Sequence, residues 1–263
     1  MSELSAEQRF FWETHGYLKI EGALSSEEIA EVRRAAEEAE ARWRRLPEMP
    51  GCRIPEFEEI EGILEYDPLF LNLIDHPRLF PLVREVVGAD IQLLDHAYYI
   101  TPPGGVVTGS AWHTDVGRRV LGVYHPRSTM MVRVMFSLSD VGDDGGATLV
   151  LPGSHRFTPD VPIPAVEVPE EMPGAVRLTC RAGDAYFFHG NVLHCPGNNR
   201  SEETRRMLLF NYGHRWMRMW KGHEPSEWLR GIADTPMRRQ LLGLWRAYYG
   251  PNAEPEENRN VFS

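Results

Sequence analysis

A chain of 263 residues, 42% hydrophobic and 25% charged, has the composition of a globular protein and is long enough to bury a core without covalent staples. Its 38 acidic residues outnumber 28 basic ones, and the net charge of −10 argues against nucleic acid or an anionic membrane surface as a partner. Three scattered cysteines (Cys52, Cys180, Cys195), no leader-like start and no apolar run of about 18 residues predict a cytoplasmic protein, neither secreted nor membrane-spanning.

Two helices open the sequence. Ser5 followed by Gln8 makes a capping-box pattern ahead of AEQRFFWETH, and Gly16 supplies the stop. Ser25-Ser26-Glu27-Glu28 starts a second helix, with acids early and arginines late as the helix dipole favours, and Pro47 and Pro50 end it. Residues 47–68, with several prolines and glutamates, read as an irregular excursion, and residues 76–88 as a short helix closed by Gly88. After Gly88 the texture changes. IQLLDHAYYI, TMMVRVMFSLSD, GATLVLPGS, AVRLTC, DAYFFH and RMLLFNYGH are short runs rich in β-branched and aromatic residues, punctuated by Gly, Pro and Asp. Such strands without long helices between them predict a sandwich or barrel, not a βαβ fold. Residues 223–249 return to a helical pattern, and the tail PNAEPEENRN is polar. With no repeat and no long linker, one domain is predicted over 1–263: a mostly helical part over 1–88, a β core over 89–214 and a helical part over 215–263.

The chemistry-bearing residues come in three pieces. Trp112-His113-Thr114-Asp115 contains H-x-D, and on an extended segment these alternate side chains share a face, so one imidazole and one carboxylate converge on one ion. Further on, the Gly183-Asp184 turn enters an apolar strand that leads to His194, a third ligand on a neighbouring strand. Two His and one carboxylate on one side of a metal leave cis positions open; this is the arrangement of non-heme Fe(II) oxygenases, which need those positions for a bidentate co-substrate and O2. Arg205, eleven residues after His194, is the third piece. A buried guanidinium grips the distal carboxylate of a 2-oxo acid with two parallel hydrogen bonds, and strand alternation sends Arg206 to the opposite face.

With these residues in place the chain resembles the phytanoyl-CoA dioxygenase family of Fe(II)/2-oxoglutarate-dependent oxygenases, over most of its length. AEQRFFWETHGYLKIEGALSSEEIAEVR is similar to that family's N-terminal helices around a Gly-Tyr-Leu turn. AWHTD is similar to its H-x-D, GGATLVLPGSHR to its glycine-rich turn and Pro-Gly-Ser-His segment, and GDAYFFHGNVLHCPGNNRSEETR to its distal His-to-Arg stretch. The resemblance implies a mainly β fold, a double-stranded β-helix or jelly roll with flanking N- and C-terminal helices. It implies that His113, Asp115 and His194 hold Fe(II) and that Arg205 clamps 2-oxoglutarate. Thr114 is a further co-substrate candidate, and His96, standing where the family often has Gln, reads either as a hydrogen-bond partner of the co-substrate or as a satisfied core histidine. Pro196, where the family often has Ser, removes a donor there. The implied reaction consumes O2, converts 2-oxoglutarate to succinate and oxidises a small organic substrate, hydroxylation being the default. Asp115 sets the chain apart from related halogenases, in which a small residue makes room for chloride.

Arg118, Arg119 and Arg127 reverse the sign of an acidic chain just beyond Asp115; they read either as the binders of an anionic substrate or as partners of the acids in residues 56–65 that fasten the loop, and Tyr98 and Trp216 are further candidates for the substrate's walls. The stripe Trp216, Met217, Met219, Trp220 also reads as core. His155 and His189 read as structural, and Cys195 as a bystander, since a thiol nucleophile needs partners that the sequence does not offer. Two other classes compete: a cupin-like isomerase or lyase using the same ligands on Mn or Zn, and a non-catalytic small-molecule binder. Arg205 at its spacing argues against the first, and the complete ligand set against the second.

Overall fold

The computed structural model describes residues 4–48, 50–54, 56–107, 111–116, 129–158, 160–220 and 223–244. The chain enters through α1 (Ala6–His15), whose Ser5–Gln8 capping box forms in both directions. The helix stops at Gly16, in the left-handed region at φ 79°. A Cβ there would come within 2.4 Å of His155 Nδ1, so both backbone conformation and close approach require glycine. Helix α2 (Ser26–Trp43) repeats the device with Ser25 and Glu28. Four shorter helices follow: α3 (Leu71–Ile74), α4 (Phe80–Val87), α5 (Glu227–Ile232) and α6 (Pro236–Leu241).

Seven strands form the larger sheet: β1 (Tyr17–Ile20), β2 (Gly51–Ile54), β3 (Phe57–Glu61), β4 (Ile91–Thr101), β5 (Met131–Ser137), β8 (Ala185–His189) and β10 (Arg205–His214). They are antiparallel in the order β1-β8-β5-β10-β4-β3-β2. The smaller sheet has β7 (Val176–Leu178), β6 (Thr148–Val150) and β9 (His194–Cys195), in that order. One face of the large sheet packs on the helices: Tyr98, Ile100, Val134, Phe136, Leu208 and Phe210 bury against side chains such as Val32, Ala36, Trp43 and Val83. The other face meets the small sheet, where Ala97, Met135, Tyr186 and Leu209 pack with Val150 and Leu178. Two facing antiparallel sheets with helices outside are the jelly roll that the sequence leads one to expect.

The N-terminal part carries more sheet than its sequence advertises. Strands β1, β2 and β3 all lie before residue 62, and the last two fall inside the stretch 47–68 expected to be irregular. Strand β3 is written Phe-Glu-Glu-Ile-Glu: Ile60 is buried against the helices, while Glu58 ion-pairs with Arg44 and Arg53 on the same face. A strand whose buried face is half charged has no apolar run to betray it. At the other end, α6 stops at Leu241, and the remainder of the helix expected through residue 249 lies outside the described residues from 245 onward. Among the described residues no helix is long and apolar enough to cross a membrane.

Candidate active site

His113, Asp115 and His194 come together although β9 carries one and a segment without a strand of its own carries the others. Two backbone hydrogen bonds make the join: His113 N–H donates to the His194 carbonyl at 3.0 Å, and His194 N–H returns one to His113 at 2.9 Å. Asp115 N–H then donates to the Gly190 carbonyl at 2.9 Å, which holds the acid at the same end of the small sheet. One donor atom from each of the three lies within 4.8 Å of the others. His194 Nε2 stands 3.7 Å from Asp115 Oδ1, and His113 Nε2 stands 3.9 Å from it.

Both imidazoles are oriented by their own backbone. His113 Nδ1–H donates to the Ala111 carbonyl at 2.7 Å, and His194 Nδ1–H to the Val192 carbonyl at 2.9 Å. Each ring therefore presents a bare Nε2, the form in which imidazole binds a cation. Burial pushes the His194 imidazole down to about 3, so it is neutral at physiological pH. His194 Nε2 and Asp115 Oδ2 are buried without a hydrogen-bond partner among the described residues. Two buried acceptor atoms in one cluster, with no donor to satisfy either among the described residues, fit a cation. The His113 side chain is 42% exposed while those of Asp115 and His194 are 3% exposed, so the cluster is open to ligands on the His113 side.

A second layer of charge stands behind the carboxylate. Arg133 Nη2 donates to Asp115 Oδ1 at 2.6 Å, and Arg133 Nε to Asn211 Oδ1 at 3.2 Å. Asn211 Nδ2 reaches Asp95 Oδ2 at 3.5 Å. This row crosses β5, β10 and β4 on the face toward the small sheet. Sequence reasoning passed over all three residues. The available signal was a lone Arg in the apolar run MMVRVMF: a charge in a buried strand stays only where it has a partner.

Arg205 also points into the space between the sheets. It is 4% exposed, its Nη2 donates to Thr148 Oγ1 at 2.8 Å and to Tyr186 Oη at 3.4 Å, and its Nε has no partner among the described residues. A buried guanidinium with an unused donor fits a carboxylate ligand. Arg206 turns to the opposite face, 3.9 Å from Glu40 of α2.

The structure does not bring every other candidate to this place. The pairing of β4 with β10 shifts between Asn211 and Tyr212, which face Asp95 and Leu93 and leave Leu94 as an extra residue. Beyond that bulge Asp95, Ala97 and Tyr99 face the small sheet, whereas His96 and Tyr98 face the helices. His96 lies against Leu64 and His223, and Tyr98 belongs to the helix-side core. His96 is therefore not beside the co-substrate position, and Tyr98 is not a wall of the cluster. Trp216 follows the end of β10 in a turn, is 68% exposed and stacks on His214, away from the metal-ligand cluster, while Met217 and Trp220 pack against the core with Leu94 and Val116. Thr114 is buried between the two ligand candidates, and its hydroxyl lacks a partner among the described residues. Arg118, Arg119 and Arg127 lie outside the described residues. The rings of His155 and His189 lie tilted to each other with centroids 5.4 Å apart, and His189 packs beside Trp12. Burial pushes the Cys195 thiol up to about 12, which leaves no thiolate for nucleophilic chemistry.

A family model described as Phytanoyl-CoA dioxygenase (PhyH) matches residues 12–207. An ectoine dioxygenase of Nocardia farcinica is 29% identical over 238 residues, covering 80% of this chain and 78% of that protein. The peroxisomal phytanoyl-CoA dioxygenase of Rattus norvegicus is 23% identical over 249 residues, covering 80% of this chain and 68% of the relative. Among solved structures, HygX from Streptomyces hygroscopicus with nickel and 2-oxoglutarate bound superposes with a TM-score of 0.69 at 22% identity, over 88% of this chain and 95% of that one. That likeness is one of fold.

Proposed function

This chain belongs to the phytanoyl-CoA dioxygenase family, and from that premise we propose that His113, Asp115 and His194 hold the iron of a non-heme Fe(II)- and 2-oxoglutarate-dependent dioxygenase, with Arg205 as the partner of the 2-oxoglutarate distal carboxylate. The observation that carries the assignment is the convergence of three donor atoms within 4.8 Å, with both imidazoles fixed through Nδ1 and the facing atoms of His194 and Asp115 orphaned. Iron, 2-oxoglutarate and O2 together supply the oxidising power, with succinate and CO2 as co-products; the substrate is a small organic molecule.

The protein's own residues do the rest. His113 and His194 offer Nε2 because Ala111 and Val192 occupy their Nδ1–H groups. Asp115 is aimed by Arg133, whose guanidinium takes up one oxygen and leaves the other without a partner among the described residues. Arg205, held by Thr148 and Tyr186, meets a carboxylate with its geometry already set, so little ordering entropy is lost on binding. The aromatic and aliphatic residues between the sheets exclude water. A cytoplasmic location is part of the same reading, supported by three cysteines that all remain free. The reading is tested by 2-oxoglutarate turnover: iron-dependent succinate formation is expected from the wild type and none from His113→Ala. Iron-independent turnover, or equal turnover by both proteins, would contradict it.

A further inference from the structure

Arg205 has company at its end of the space between the sheets. Its Nη2 donates to Thr148 Oγ1 at 2.8 Å, and Thr148 Oγ1 lies 2.7 Å from Tyr186 Oη. Tyr186 Oη in turn donates at 3.3 Å to the thioether sulfur of Met135, its cross-strand partner on β5. The two hydroxyls carry two protons. One lies between them, and Met135 Sδ is the acceptor within reach of the other among the described residues. Thr148 therefore gives its proton to Tyr186, and Tyr186 gives its own to sulfur, a weak acceptor. Burial pushes the Tyr186 phenol above its ordinary value, so at physiological pH the hydroxyl stays protonated and able to donate. Beside it, Arg205 Nε has no partner among the described residues. Two buried donors, one unmatched and one poorly matched, thus stand side by side next to a positive charge.

Their position matters as much as their chemistry. Strand β6 pairs with β9 through Val150–His194 and Leu149–Cys195, and the same register carried one residue further sets Thr148 across from Pro196. Pro196 offers neither a hydroxyl nor an N–H. Cross-strand neighbours share a side of the sheet, so the hydroxyl missing at Pro196 is present opposite it. Tyr186 and Phe188 alternate on β8 and face the same way. Centroid to centroid, the Phe188 ring lies 4.6 Å from that of His194 and 6.2 Å from that of Tyr186. One apolar ring therefore separates the metal-ligand cluster from the Tyr186–Arg205 end. A 2-oxo acid with a distal carboxylate has the same order of parts: a chelating end, methylenes and an anion.

We propose that the Tyr186 hydroxyl is itself a ligand of the co-substrate: on binding it leaves Met135 Sδ and donates to the distal carboxylate gripped by Arg205, while Thr148 keeps both in place. The inference deepens the reading of Arg205 as the carboxylate clamp and rests on it. The exchange replaces a contact with a thioether by a charge-assisted hydrogen bond, roughly twice as strong as a neutral one. It also makes Tyr186 a selector, since a 2-oxo acid without the second carboxylate gives the phenol nothing better than sulfur.

2-Oxoglutarate and 2-oxovalerate serve as probes; the second has the same carbon chain with a methyl group in place of the distal carboxylate. They are titrated into the full-length protein with ¹³Cζ-labelled tyrosines and with Zn(II) as a diamagnetic stand-in for iron. The Tyr186 resonance is the one absent from Tyr186→Phe or, should that variant fail to fold, the one displaced most in Met135→Leu before any ligand is added. 2-Oxoglutarate is expected to move it saturably, to the same end-point in the wild type and in Met135→Leu, and 2-oxovalerate to leave it in place. By calorimetry Tyr186→Phe should weaken 2-oxoglutarate by about tenfold, the scale of a hydrogen bond to a charged acceptor, and 2-oxovalerate by less than about twofold. A mere prop for Arg205 would lower the affinity too, but its resonance would not answer to the carboxylate. A Tyr186 resonance that 2-oxoglutarate leaves unmoved, or that 2-oxovalerate moves as far, overturns the inference and leaves Arg205 its role. No binding of 2-oxoglutarate to the wild type removes the clamp itself, and the part of Tyr186 with it.

Discussion

The two faces of the seven-stranded sheet are built from the same strands and do opposite work. On β10, Leu208, Phe210 and Tyr212 face the helices in a dry core, while Arg205, Leu209 and Asn211 face the small sheet. On β5, Val132, Val134 and Phe136 alternate in the same way with Arg133 and Met135. One face keeps the fold; the other carries buried charges that cost solvation energy and are retained where something must bind. Adjacent residues should therefore fail in different ways.

The sharpest contrast is Phe210 against its own strand's charges. Phe210→Ala leaves a cavity in the helix-side core and should cost about 3–5 kcal/mol of stability, without changing the iron affinity of the protein that remains folded. Denaturant titration and metal titration read the two quantities separately. Equal loss of both would mean that the faces are not independent.

Arg205 and Arg206 make the same test on ligand affinity. Arg205→Ala should weaken 2-oxoglutarate by a hundredfold or more, since the loss of one partner of a buried charge pair costs about 3–5 kcal/mol. Arg206→Ala, on the helix side beside Glu40, should change that affinity by less than about threefold. Calorimetric titration of both variants against the wild type decides it, and a reversed order would place the wrong face toward the co-substrate.

Arg133→Met removes the counter-charge of Asp115 and should destabilise the metal-free protein by several kcal/mol, on the order of 3. A bound divalent cation supplies a counter-charge of its own, so the deficit should shrink when melting is repeated with Ni(II). A deficit unchanged by metal would separate Asp115 from the metal.

The smallest effect belongs to His155, beneath Gly16. Burial pushes its imidazole down from 6.5 to about 4, so the folded state prefers the neutral ring. The contribution to stability is complete above pH 6.5, the unfolded value, and is lost progressively as pH falls toward about 4. Melting temperatures of the wild type should fall across that window more steeply than those of His155→Leu, and parallel curves would remove His155 from the acid sensitivity.

Much of this organisation is legible in the sequence, and what is not has physical causes. Capping boxes at Ser5 and Ser25 are local, and both form. The apolar runs of β5, β8 and β10 are continuous because both of their faces are buried, and they stand out as strands. Strand β3 does not, because Glu58 takes an apolar position on its buried face and is satisfied there by arginines. The face of β4 that His96 and Tyr98 occupy is not legible in the sequence, because alternation gives the period but not the phase, and the bulge at Leu94 sets the phase. Arg133 shows as an anomaly in its strand, yet its partner Asp115 is far away in sequence, so only the fold reveals what it holds.

The central claim is that His113, Asp115 and His194 with Arg205 form one site for iron and 2-oxoglutarate. Anaerobic titration of the metal-free protein with Fe(II) and 2-oxoglutarate, followed in the visible, tests it most directly. A weak charge-transfer band should appear only when both are present, saturate at one iron per chain, vanish in Asp115→Ala and require at least a hundredfold more 2-oxoglutarate in Arg205→Ala. No band in the wild type, or an undiminished band in Asp115→Ala, would contradict the account.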